Sequence, residues 1–122
     1  MTTPRLKTEI RVQAHLRRAR AGGAFATVAR KGDPDAGAVA VKVYLGGGRA
    51  RAFLRSVDLD GNPVWRNPFT EESGAGDAAG GDEEGGDVAE SDVDARLAKE
   101  VSYDPDLWII EIEDRDGRAF LE

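Results

Sequence analysis

Ala38-Val39-Ala40-Val41-Lys42-Val43-Tyr44-Leu45 is the stretch on which the fold turns. Apolar β-branched residues recur at every second position, so Val39, Val41, Val43 and Leu45 share one face of a strand. Lys42 and Tyr44 share the other. Gly46-Gly47-Gly48 follows as a tight connection. Arg49 to Val57 then returns, with Ala50, Ala52 and Leu54 alternating against Arg51, Phe53 and Arg55. So short a connection makes the two strands antiparallel.

Ahead of this hairpin, Gly32-Asp33-Pro34-Asp35-Ala36-Gly37 is dense in turn formers, and Ala24 to Lys31 reads as a further strand, so the short loops imply an antiparallel meander of three strands. Thr8 to about Ala21 has helical spacing. Thr8 is placed to cap it, Glu9 suits its positive end, and Arg17, Arg18 and Arg20 suit its negative end. Gly22-Gly23 stops it. Leu6, Ile10, Ala14 and Ala21 form one strip, and Val12, Leu16 and Ala19 a second. Lys7, Arg11, His15 and Arg18 fall in the remaining sector, where His15 is expected in solvent.

Beyond the hairpin, Asp58 to Pro63 is a turn and Val64 to Arg66 a short fourth strand. Glu71 to Glu90 is built of Gly, Ala, Asp, Glu and Ser apart from Val88, with no basic residue. Such a composition cannot bury enough surface to offset the entropy of ordering, so residues 71–90 are expected to be a disordered acidic insertion. Ser91 is placed to cap a second helix carrying Val93, Leu97 and Val101, which ends at Tyr103-Asp104-Pro105-Asp106. Leu107 to Glu113 sets Trp108, Ile110 and Ile112 on one face and Ile109 on the other, a density that suits an interior strand. Asp114 to Gly117 turns the chain, and Ala119 to Leu121 is expected to pair briefly. The expectation is one α+β domain over residues 1–122: a small, mostly antiparallel sheet of four to five strands with two helices. Its order is α-β-β-β-(β)-acidic loop-α-β.

The chain has 122 residues and a net charge of −6, but the charge is segregated: residues 1–55 carry 12 Lys and Arg against 3 Asp and Glu, and residues 56–122 carry 5 against 20. Asymmetry of this kind points to polyanion contact or to an acidic appendage. There is no cysteine, which excludes disulfides, zinc–thiolate sites and cysteine nucleophiles. The first ten residues lack the apolar stretch of a signal peptide, and no apolar run is long enough to cross a bilayer. A cytoplasmic location without membrane attachment is the expectation.

No constellation of residues points to catalysis, a metal or a cofactor. Setting Gly61 of Asp58-Leu59-Asp60-Gly61-Asn62 at the glycine of a calcium loop puts Ser56 at the first ligand position and Asn67 where a bidentate Glu is needed. That stretch reads as a turn. Asp33-Pro34-Asp35 and Asp104-Pro105-Asp106 read as turns too, although four carboxylates would interest a divalent cation if the two loops were neighbours. Gly46-Gly47-Gly48 opens no helix and makes no phosphate cradle.

Basic residues make the stronger pattern. Lys42 and Tyr44 share a sheet face, which Arg51, Phe53 and Arg55 join if the hairpin register allows. Interleaved arginines and aromatics can hold phosphates and stack bases. The candidate polyanion-binding set is Lys7, Arg11, His15, Arg18, Lys42, Arg51 and Arg55.

Three stretches carry a resemblance: Arg5-Leu6-Lys7-Thr8-Glu9-Ile10 with Val12-Gln13-Ala14; Gly32-Asp33-Pro34-Asp35-Ala36-Gly37-Ala38-Val39; and Tyr103-Asp104-Pro105-Asp106-Leu107-Trp108 with Glu111-Ile112-Glu113-Asp114. They resemble the bacterial domain of unknown function 1491 family over nearly the whole chain outside the acidic insertion. The resemblance implies one intact cytoplasmic domain and transfers no activity, ligand or site residue. The functional expectation is a non-enzymatic domain that binds another protein through the first helix or a sheet edge. The alternative is a nucleic-acid-binding module using Lys7, Arg11, Arg18, Arg51 and Arg55, with the acidic insertion folding back as a competing polyanion.

Overall fold

Val39 to Tyr44 lies in the middle of the sheet, covered on both sides. The computed structural model describes residues 7–72 and 86–122. Its elements in chain order are α1 (Thr8–Ala21), β1 (Phe25–Arg30), β2 (Val39–Gly46), β3 (Arg49–Val57), β4 (Pro63–Arg66), α2 (Pro68–Glu72), β5 (Val88–Ala89), α3 (Glu90–Tyr103) and β6 (Trp108–Glu113). The strand order is β1-β6-β2-β3-β4, and β5 also pairs with β3. β2 and β6 run parallel while the other pairings are antiparallel.

The chain is thus an α+β protein with a mostly antiparallel sheet, as its patterning implies. It departs from the expected plan in three ways. A short third helix, α2, is added; the described residues form six strands; and β1 and β2 are not neighbours, because β6 lies between them. The composition of β6 explains its place. Trp108, Ile110 and Ile112 are all but inaccessible, and a strand so apolar gains most where both of its edges are paired and both of its faces covered.

Two cores result. On one face Val12, Leu16 and Ala19 of α1 meet Val39, Val41, Val43, Phe53, Trp108, Ile110 and Ile112. On the other, Val93 and Leu97 of α3 meet Ala40, Ala50, Ala52, Leu107 and Ile109. Alternation in β2 and β3 therefore opposes large residues to small ones, and Lys42 is the buried polar exception on the small side. Among the described residues no helix is long and apolar enough to cross a membrane.

The helix starts differ from the sequence reading. Lys7, not Thr8, occupies the cap position of α1, with no side-chain cap. The first-turn amides are satisfied by main chain instead: Thr8 N–H donates to Asp35 O (3.3 Å) and Glu9 N–H to Pro34 O (2.9 Å). The Thr8 hydroxyl, one position too far along to cap, donates to Gly37 O at 2.9 Å. α3 begins at Glu90 rather than after Ser91, and Glu90 N–H donates to Gly48 O at 2.8 Å.

Both margins of the expected insertion are structured. Asn67 accepts hydrogen bonds from the amides of Phe69 and Thr70 at the start of α2, and its own amide donates to Gly86 O. Residues 73–85, the centre of that expectation, lie outside the described residues.

Candidate functional site

One extra residue decides where the basic side chains go. The hairpin pairs Gly46 with Arg49 but Tyr44 with Ala50, so the register shifts at Leu45. Without that bulge Tyr44 would face Arg51 and Lys42 would face Phe53. With it, Val43 faces Arg51, Val41 faces Phe53, and Lys42 faces Ala52. A one-residue slip moves every side chain to the opposite face. The anticipated union of Lys42 and Tyr44 with Arg51, Phe53 and Arg55 does not occur. Arg51 and Arg55 lie on the α1 side and Lys42 on the α3 side.

On the α1 side five of the seven candidates converge on the segment 117–122. Arg51 donates to Gly117 O at 3.1 Å. His15 is buried, not in solvent, because its Nε2–H donates to Ala119 O at 2.7 Å. Arg18 donates through Nε and Nη2 to Phe120 O at 3.2 and 2.9 Å. Arg11 and Arg55 both reach Oε1 of Glu122, at 2.9 and 2.6 Å. α1 supplies three of these side chains at helical spacing and β3 the other two at strand spacing, so the segment is held from two sides. Residues 119–121 form no strand. The carbonyls of Ala119 and Phe120 are turned to side chains, and Ala119, fully buried, joins the core with Phe120 and Leu121 against it.

Trp65 completes the end of the site nearest Glu122. The Arg55 guanidinium lies over its ring, 5.6 Å from the centroid, and the His15 ring meets it edge-on at 6.2 Å. A cavity of about 10 Å³, room for a single water, is lined by Arg11, Val12, His15, Val39, Arg55, Trp65, Ile110 and Glu122. The Trp65 indole N–H is buried and, among the described residues, has no hydrogen-bond partner. The lining carries two guanidinium groups against one carboxylate.

Lys42 is engaged elsewhere. Its ammonium bonds Glu90 and Asp94, each at 2.8 Å, with Glu111 at 4.0 Å. Burial pulls its pKa down, but the bonds to Asp94 and Glu90 and the charges of Glu111 and Asp94 outweigh burial and hold it above 10.5. Lys7 stands apart as well, exposed and 3.6 Å from the Asp35 carboxylate.

The two Asp-Pro-Asp loops do meet. Asp33 N–H donates to Asp106 O (3.1 Å), and the Trp108 indole donates to Asp33 O (2.7 Å). Their contact is main-chain, and a Cβ on Gly32 or Gly37 would strike Asp106 O. The Asp33 and Asp104 carboxylates accept the amides of Asp35 and Asp106, as turn-forming Asp residues do. Among the described residues no three His, Cys, Asp or Glu side chains gather as they would for a metal ion. Asp58 likewise closes its turn by accepting from Asp60 and Asn62.

The start of α1 and these two loops are the stretches that carried the family resemblance, and they form one bonded corner. Residues 6–122 match the model of DUF1491, a protein family of unknown function. The chain belongs to the DUF1491 family. A DUF1491 protein from Caulobacter crescentus CB15, known from a crystal structure, is 45% identical, with 96% of this chain and 95% of that chain covered and a TM-score of 0.75. An NMR structure of a DUF1491 protein from the same organism gives 44% identity, coverage of 98% and 94%, and a TM-score of 0.74. The solution structure of Atu0922 from A. tumefaciens is 29% identical, covers 90% and 86%, and has a TM-score of 0.66. No curated protein matches.

What the residue patterns of this DUF1491 chain did not disclose is the partner of its basic residues. Main-chain carbonyls leave no mark in a sequence, and Glu122 is one acid among many. One usable signal exists: the apolar run Ala119-Phe120-Leu121 after a turn must bury itself somewhere.

Proposed function

We propose that this domain is a non-enzymatic protein-interaction module whose contact surface is the basic side of α1 and β3. One observation carries the reading: these side chains already hold a peptide segment that belongs to no helix or strand. Arg18, Arg51 and His15 grip main-chain carbonyls of 117–120, and Arg11 with Arg55 grips a carboxylate. Guanidinium forks suit such acceptors. The outer end, at Arg11 and Arg55, is partly exposed, at 26% and 20%.

A protein is favoured over a nucleic acid by the division of the basic set. Phe53 and Arg51 are buried, so neither offers a ring or a fork to a stacked base, and Lys42 is on the opposite face, neutralised by carboxylates. Autoinhibition by the acidic stretch concerns residues outside the described ones.

Fluorescence anisotropy with a labelled hexaglutamate peptide and a labelled single-stranded oligonucleotide tests this. The peptide should bind, and Arg11→Ala/Arg55→Ala should weaken it at least about tenfold, through the loss of two partly solvent-screened charge-assisted contacts. Salt-sensitive binding of the oligonucleotide alone would replace this reading with the nucleic-acid one.

A further inference from the structure

We infer that Arg11 and Arg55 form a carboxylate seat, and that Glu122 is its exchangeable resident, giving way to an acidic side chain of a partner protein. The inference rests on the interaction reading above and names the chemistry that the surface takes.

Three observations support it. First, the seat is over-supplied with positive charge and donors. Both guanidinium groups converge on Oε1, and among the described residues Oε2 has no hydrogen-bond partner. The indole N–H of Trp65, a residue that lines the cavity, is unused as well. One carboxylate therefore leaves capacity for anion binding unfilled. Second, the segment divides into a fixed part and a loose one. Ala119 is fully buried, and the Phe120 ring lies where a Cβ on Gly22 would strike it. The Glu122 side chain is 44% exposed, so it can swing out while 117–121 stays. Third, the seat is pre-formed from opposite sides: Arg11 is presented by α1, and Arg55 is steered by its stacking on Trp65. A site with fixed donors binds a new carboxylate at small ordering cost.

Glu122 then acts as a competitor in cis. Removing its charge should strengthen binding of an acidic peptide by about five- to tenfold, the scale of one charge-assisted contact screened by solvent.

The test compares hexaglutamate binding by the full chain as wild type, Glu122→Gln, and Glu122→Gln combined with Arg11→Ala/Arg55→Ala. Tighter binding by Glu122→Gln, lost in the combined variant, supports the seat. Equal or weaker binding by Glu122→Gln overturns the competitor role and leaves the interaction reading standing. Absence of binding by wild type and Glu122→Gln alike defeats both. A gain for the single-stranded oligonucleotide but not for the peptide also overturns the inference. A readout on unaltered protein guards against misfolding of the variants: hexaglutamate should move the indole ¹⁵N–¹H resonance of Trp65 and spare that of Trp108. Movement of neither, at saturating peptide, contradicts the seat.

Discussion

On the α1 side of β2 and β3 stand Val39, Val41, Val43 and Phe53; on the α3 side of the same strands stand Ala40, Lys42, Ala50 and Ala52. The two sides also treat a buried cation differently. Arg51 is placed against a main-chain carbonyl and Lys42 among three side-chain carboxylates. A planar fork fits fixed main-chain acceptors, whereas a compact ammonium is satisfied by flexible acids gathered around it. The α1 side therefore holds the chain's own segment 117–122, and the α3 side pins its own helix, since two of the Lys42 partners belong to α3.

The largest effect should come from the large-residue side. Phe53→Ala leaves a cavity and should cost about 3–5 kcal/mol in urea unfolding. On the small side the danger is the reverse: Ala50→Val should overpack and cost about 1–3 kcal/mol. A neutral or stabilising Ala50→Val would show that α3 is loosely seated and break the comparison.

The lysine gives the next test. Glu90→Ala/Asp94→Ala leaves a buried ammonium with Glu111 alone, at 4.0 Å, and should cost about 2 kcal/mol, while Lys42→Met, which leaves solvated acids behind, should cost less than half of that. Equal costs would mean that Lys42 is hydrated rather than buried. Gly117→Ala should cost about 1–2 kcal/mol, because Gly117 has φ +74° and an added Cβ would meet Arg51 Nη1 at 2.6 Å.

Much of the sheet was legible because β-branched and aromatic residues alternate in 39–45 and 107–113. The face assignment was not, because a single bulged residue at Leu45 reverses it and Gly46-Gly47-Gly48 accommodates either register. The parallel pairing of β2 with β6 joins residues about seventy positions apart, and no local pattern reports it. Of the site, the basic side chains of α1 were read as one stripe, and Arg11, His15 and Arg18 do act together. Their acceptors were illegible for a simple reason: three of the five basic groups meet backbone and the other two a lone acid across the fold. His15 was misplaced because its sector of the helix reads as solvent until the segment 117–122 covers it.

The pH limits of stability separate two further charges. The Asp114 pKa is lowered from 3.8, first by the hydrogen bond from Arg118, with burial opposing and the Arg118 amide and charge assisting. Its contribution is present above 3.8 and lost as pH falls through the lower folded value. For Lys42, with its pKa raised from 10.5, the contribution is present below 10.5 and lost as pH rises through the higher folded value. Arg118→Ala should flatten the acid limb of a stability–pH curve and leave the alkaline limb alone; Lys42→Met should do the opposite. A shared change in both limbs would contradict separate roles.

The central claim is that the hairpin register sends Arg55 to Glu122 and keeps Lys42 away from it. A pair of double-mutant cycles measured by urea unfolding tests it most directly. Arg55→Ala with Glu122→Gln should show a coupling of about 0.5–1 kcal/mol, the scale of a partly exposed ion pair. Lys42→Met with Glu122→Gln should show none. Coupling in the lysine cycle, or none in the arginine cycle, would contradict the account.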